Sequence, residues 1–172
     1  IYKMKKINYF TILLFIFYSN FTFSQENKFE LTINGYEPKV IEVENQTKSE
    51  IYKLIKKWVV KTYKNPKEVL TADIENENIK INGFSTNIVK WSIGDGWDLF
   101  YTLDIEIKDN KYRISITADI AGNQIEYTSF FKKDGSKRTG YKGGPESIDN
   151  HINSIVDDLN LFLKNKGEKN DW

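Results

Sequence analysis

A chain of 172 residues without a cysteine has no disulfide framework, thiolate metal site, catalytic thiol or lipid-modified N-terminal cysteine. Its one histidine leaves no histidine pair for a metal and no partner histidine for acid–base work. With 25 basic and 24 acidic side chains the formal charge is +1, too even for the electrostatic footprint of a nucleic-acid binder.

Lys5 and Lys6 precede an apolar run, Ile12 to Tyr18, which closes in Ser19-Asn20 and Thr22-Phe23-Ser24. This is the charged, apolar and small-residue order of a secretory signal peptide, and it predicts cleavage after Ser24 with Met4 as the start. Asn8, Asn20 and Thr22 interrupt the run too often for a spanning helix of about 20 apolar residues. Removing 24 of the 172 residues leaves 148, and the loss of Lys3, Lys5 and Lys6 takes the charge from +1 to −2. A chain that long buries roughly 68–70 % of its unfolded surface, so residues 25–172 are expected to form a single exported domain, periplasmic or extracellular, with no membrane span left.

Short strands are predicted at Lys28–Ile33 and Lys39–Glu44. Ile51, Leu54, Ile55, Trp58 and Val59 then fall at helical spacing, with Lys53, Lys56, Lys57 and Lys61 mostly off the stripe. Thr47-Lys48-Ser49-Glu50 supplies a capping box and Pro66 a stop, which places this helix at Thr47–Tyr63. Strands follow at Glu68–Ile74 and, after a turn at Glu75-Asn76-Glu77, at Asn78–Phe84, continuing through Ser85–Trp91 to a turn at Gly94-Asp95-Gly96.

From Trp97 to Ile107 and from Tyr112 to Ile120 apolar and polar residues alternate about a turn at Asp109-Asn110, a long antiparallel hairpin. A two-residue turn sets Ile107 opposite Tyr112, Ile105 opposite Ile114, Leu103 opposite Ile116, Tyr101 opposite Ala118 and Leu99 opposite Ile120. The other face then pairs Glu106 with Arg113, Asp104 with Ser115 and Thr102 with Thr117. A further strand is expected at Gln124–Phe131, turned by Lys133-Asp134-Gly135-Ser136. The last helix, Pro145–Lys164, carries the stripe Ile148, Ile152, Ile155, Val156, Leu159, Phe162 and Leu163, with Glu146, Asp149, Asp157 and Asp158 facing away. Gly167 is its stop, and residues 166–172 read as a flexible tail.

The order strands, helix, strands, helix predicts an α+β domain in which a twisted antiparallel sheet carries both helices on one face. Val40-Ile41-Glu42-Val43, Ser49-Glu50-Ile51-Tyr52, Lys57-Trp58-Val59 with Thr62-Tyr63, Ile79-Lys80-Ile81-Asn82-Gly83 and the turn Lys108-Asp109-Asn110-Lys111-Tyr112-Arg113 carry a family likeness. Over roughly Phe29 to Ala118, together with the leader and the final helix, the chain resembles a family of secreted Bacteroidetes domains of unknown function with a TATA-binding-protein-like (TBP-like) fold. The resemblance implies a curved sheet with two helices on its convex side, and it implies no activity. The namesake fold binds DNA through its free sheet face, but Asp98, Asp104, Glu106 and Asp119 against Arg113 suit a phosphate backbone poorly there.

No residue set reads as catalytic, cofactor-binding or metal-binding. His151, at the flank of the last stripe, reads as a half-buried packing residue. Asp157 and Asp158 diverge by about 100° on a helix and cannot form a close dyad. Asp98, Asp104 and Glu106 share a strand face, but Ser115 and Arg113 stand beside the last two, against a hard-cation site. Gly140, Gly143 and Gly144 before Pro145 lack the P-loop lysine and hydroxyl, so they read as a loop needing backbone freedom. Phe100, by contrast, falls on the polar face between Asp98 and Thr102, where Trp91 could join it. Either these aromatics anchor a partner or the 122–144 loop covers them.

The resulting expectation is an exported, non-catalytic binding module using Phe100, Thr102, Asp104, Arg113 and Thr117, with Trp91, for an envelope protein, peptide or glycan, and not for nucleic acid. Two alternatives stand beside it. One is a hydrolase built on Asp95 or Asp98 with a carboxylate from the 122–144 loop, which needs a separation of about 5–9.5 Å across a cleft. The other is a structural subunit of an envelope assembly that pairs through edge strands.

Overall fold

The computed structural model describes residues 28–89, 96–121, 126–141 and 143–167. The predicted leader, Trp91, Asp95 and the end of the chain lie outside them. Five strands, β1 (Lys39–Glu42), β2 (Leu70–Ile74), β3 (Asn78–Val89), β4 (Trp97–Lys108) and β5 (Lys111–Ala121), form one antiparallel sheet in the order β1-β5-β4-β3-β2. The β4–β5 register is the one expected from alternation, with Leu99 opposite Ile120, Leu103 opposite Ile116 and Glu106 opposite Arg113. Asn110 at the turn takes φ 62° and Asn76 at the β2–β3 turn φ 61°, left-handed values that asparagine tolerates better than most residues.

Alternation divides the sheet into two unlike faces. Ile79, Ile81, Leu99, Leu103, Ile105, Tyr112, Ile114 and Ile116 are buried on the inner face. Helices α1 (Lys48–Thr62) and α3 (Gly144–Lys164) cover that face. Ile51, Ile55, Trp58 and Val59 come from α1, and Ile148, Ile152, Val156, Leu159 and Phe162 from α3. The Tyr112 hydroxyl reaches Asn160 of α3, and the Trp58 indole N–H donates to Asp158 at 2.7 Å, joining the two helices. Thr47 caps α1 as expected, its N–H donating to Glu50 Oε2 at 2.8 Å and its hydroxyl accepting from the Glu50 N–H at 3.3 Å.

Three expected strand segments differ. Pro66 does more than end α1: it opens a helical turn, α2 (Pro66–Val69), because its ring suits the first helical position. Strand β2 therefore begins at Leu70 rather than Glu68. At Lys28–Ile33 the period-two burial is present, with Phe29 and Leu31 buried, but among the described residues no strand lies beside it. Asn153 and Asp149 of α3 take the backbone instead, through Phe29 N–H to Asn153 Oδ1 at 2.7 Å, Asn153 Nδ2 to Phe29 O at 2.8 Å and Leu31 N–H to Asp149 Oδ1 at 2.8 Å. Of the strand expected at Gln124–Phe131, residues 124–125 lie outside the described residues, and over Tyr127–Phe130 the chain makes a 3₁₀ turn instead. Its three-residue repeat carries Tyr127 and Phe130 to one side, with Phe130 fully buried, as alternation would not.

Candidate functional site

The outer sheet face is the candidate site, and pairing arranges its side chains in rows. Phe84 lies opposite Phe100, which lies opposite Asp119; Asn82, Thr102 and Thr117 form the next row, then Lys80, Asp104 and Ser115, then Asn78, Glu106, Arg113 and Val40. All of the expected residues except Trp91 are described, and the sheet brings them onto this one surface.

Within it the polar groups bond to one another. Thr102 Oγ1 donates to Asn82 Oδ1 at 2.9 Å. Asp104 accepts from Asn78 Nδ2 at 2.6 Å and pairs with Lys80 at 2.9 Å. Partial burial pushes the Asp104 carboxyl up, but the bonds from Asn78 and Lys80 outweigh it and hold the group below the usual aspartate range. Arg113 pairs with Glu106, which raises the guanidinium pKa further. At the hairpin end Val40, Glu106, Lys108, Lys111, Tyr112 and Arg113 line a depression of about 380 Å³.

Phe100 is the departure from this polar pattern. It is 52 % exposed and stacks against Phe84, 51 % exposed, with ring centroids 4.8 Å apart and planes tilted by 39°. Sequence reasoning looked to Trp91 for its neighbour and missed Phe84. The signal was present: Ile79, Ile81 and Gly83 point inward, so Phe84 has the parity of Lys80 and Asn82.

A second polar group, on the inner face, was not foreseen. His151 Nε2 lies 2.9 Å from Ser85 Oγ, and its ring meets Tyr101 edge-on with centroids 5.9 Å apart. The Tyr101 hydroxyl lies 3.2 Å from that of Tyr63. Burial lowers the His151 pKa, so the imidazole is neutral at pH 7. The packing role expected of His151 is present, with a hydroxyl contact added to it.

Two carboxylates expected to face away do not. Asp158 accepts from Trp58, and Asp149 accepts from both Leu31 N–H and the Tyr36 hydroxyl at 2.8 Å. Burial pushes the Asp149 carboxyl up, against the bond from Tyr36. The helical period marks where such groups sit around the axis but not what a neighbouring segment will offer them. Glu30, Glu146 and Asp149 also line a depression of about 310 Å³. Asp98 accepts from Asn87 N–H at 2.8 Å.

Residues 38–119 match the model of a family described as a domain of unknown function (DUF4468) with a TBP-like fold. A comparison with curated proteins finds no match. Among solved structures, a TBP-like protein from Parabacteroides distasonis is 19 % identical with a TM-score of 0.53, covering 76 % of this chain and 90 % of that one. A DUF4468 family protein from Bacteroides ovatus is 14 % identical with a TM-score of 0.59, covering 79 % and 88 %. At such identities the structural likeness speaks for the fold. Together with the family match and the strand order it shows that the chain carries the TBP-like fold of the DUF4468 domains of unknown function.

Proposed function

We propose that the chain is an exported, non-catalytic binding module whose outer sheet face takes a partner protein, peptide or glycan. The observation that carries this reading is the Phe84–Phe100 pair. Two stacked rings, each about half exposed, stand on a face whose other described members are mostly polar. Covering both would remove roughly 200 Å² of largely apolar surface, about 5 kcal/mol gross at ~25 cal/mol per Å². Asn82, Thr102 and Thr117 in the adjacent row add hydrogen-bonding groups that can orient a ligand. Export is supported by the order of charged, apolar and small residues between Lys5 and Ser24.

The test is a screen of peptide and glycan arrays with the wild-type chain and a Phe84→Ala/Phe100→Ala double variant. Binding that disappears in the double variant supports the reading. Binding that survives it unchanged places the ligand elsewhere and removes this face from consideration. A carboxylate hydrolase is the second reading, favoured by the depression that Glu30, Glu146 and Asp149 line. It rests on carboxylates other than Asp98, which lines none of the depressions described, and Asp95, which lies outside the described residues. Glycoside turnover abolished by Glu146→Gln would support it over the first.

A further inference from the structure

We infer that the Phe84–Phe100 end of the face takes a cationic side chain, an arginine presented by a partner protein segment; this rests on the reading of the face as a binding surface. The argument is the distribution of charge. In the two rows between the aromatic end and the hairpin tip the carboxylates are paired, Asp104 with Lys80 at 2.9 Å and Glu106 with Arg113, and in the tip row Glu42 lies opposite Lys111. The aromatic row is different: Asp119 lies directly opposite Phe100, is exposed, and has no ion pair or hydrogen bond among the described residues. Asp98, further along the same face, accepts a backbone N–H from Asn87 and likewise has no cation there.

Phe84, Phe100 and Asp119 therefore stand side by side on three adjacent strands, spaced about 5 Å apart as directly opposed residues are. Two aromatic faces and an exposed carboxylate converge on one ligand chemistry. A planar guanidinium can lie over a ring while its N–H fork meets the carboxylate. A lysine ammonium would gain the charge but not the planar stacking, and a phosphate or sulfate would meet repulsion. The hairpin end carries Lys108, Lys111 and Arg113 against Glu106 and Glu42, a small cationic excess, whereas the aromatic end carries Asp98 and Asp119 with no cation paired to either among the described residues, so the face is polarised. It favours a segment whose arginine sits at the aromatic end and whose acidic or neutral residues run toward the hairpin.

The experiment titrates the isotopically labelled full chain with a ten-residue Ser/Thr/Gly peptide bearing one central arginine, and with the same peptide bearing citrulline, which keeps the shape and removes the charge. The amides of Phe84, Phe100 and Asp119 should shift saturably with the arginine peptide, and citrulline should weaken binding roughly three- to thirtyfold, the sum expected of an exposed cation–π contact and an exposed ion pair. Asp119→Asn should lose only the ion-pair share, roughly two- to fivefold, and Phe100→Leu, which keeps an apolar side chain but removes the ring, only the cation–π share, also roughly two- to fivefold. Equal binding of the two peptides overturns the cation inference while leaving the face a binding surface. No shift at these amides with either peptide also overturns it, and the array result with the Phe84/Phe100 variant then decides the broader reading separately. Concentration-dependent shifts of the same amides without peptide would mean that a second copy occupies the face, which overturns it as well.

Discussion

Replacing Gly83 with alanine tests how the inner face is built. A Cβ at Gly83 would lie 2.0 Å from Tyr101 Cζ and 2.4 Å from its hydroxyl oxygen, so the tyrosine ring occupies the space a side chain would need. The ring is 5 % exposed and its hydroxyl meets that of Tyr63 at 3.2 Å, so it cannot swing aside without losing contacts. Overpacking of a close-packed core costs about 1–3 kcal/mol and a lost hydrogen bond about 1 kcal/mol more. Alanine returns about 0.5–1 kcal/mol through its smaller entropy loss on folding. The net destabilisation should be about 2–3 kcal/mol, measured as a shift of the urea midpoint at unchanged m. The decisive comparison is the same substitution in a Tyr101→Ala background, where no ring remains to clash and the cost should disappear. An equal loss in both backgrounds, or a loss below about 0.5 kcal/mol in the wild type, would refute the steric account.

Three other outcomes follow from the structure. Burial holds the His151 pKa below its ordinary value of 6.5, so the unfolded chain binds a proton there before the folded chain does. Stability should be insensitive to this group above pH 7 and fall as pH drops below about 6.5, and His151→Gln should flatten that slope in urea titrations between pH 7.5 and 5.5. Asp149→Ala removes the acceptor of the Leu31 N–H and the Tyr36 hydroxyl. It should cost about 2–3 kcal/mol and speed hydrogen exchange at Leu31 selectively. Thr47→Ala, which breaks the capping box of α1, should cost about 1 kcal/mol in thermal or urea unfolding.

The hairpin could be read from the residues because both its determinants are local. Strict alternation from Trp97 to Ile120 and a two-residue turn leave one register that buries the apolar side. The capped helix Lys48–Thr62 was legible for the same reason. Lys28–Ile33 was not, since alternation records that one side is buried and not whether a strand or a helix side chain satisfies the backbone; Asn153 and Asp149 do so from more than 100 residues away. Of the binding face, Phe100 was identified by parity and Phe84 could have been by the same rule. The contact of His151 with Ser85 spans 66 residues of sequence and depends on how α3 lies across β3, which no periodicity in either element specifies.

The hairpin turn has a consequence for how the chain folds. Asn110 O accepts from Val43 N–H at 2.8 Å, Asn110 N–H donates to Gln46 O at 2.8 Å, and Asp109 Oδ1 accepts from Lys48 N–H at 2.8 Å. Gln46 in turn donates through Nε2 to Leu163 O at 2.8 Å near the end of the last helix. Contacts within the hairpin close a short loop and form early, whereas the bonds from its tip to residues 43–48 span more than 60 positions and carry a larger entropic cost. The tip thus offers the first helix a docking point once the hairpin is formed, and the last helix bonds to that junction through Gln46. Loosening the turn should therefore weaken both helices at once, so that the domain loses its structure as one cooperative unit rather than from its ends inward.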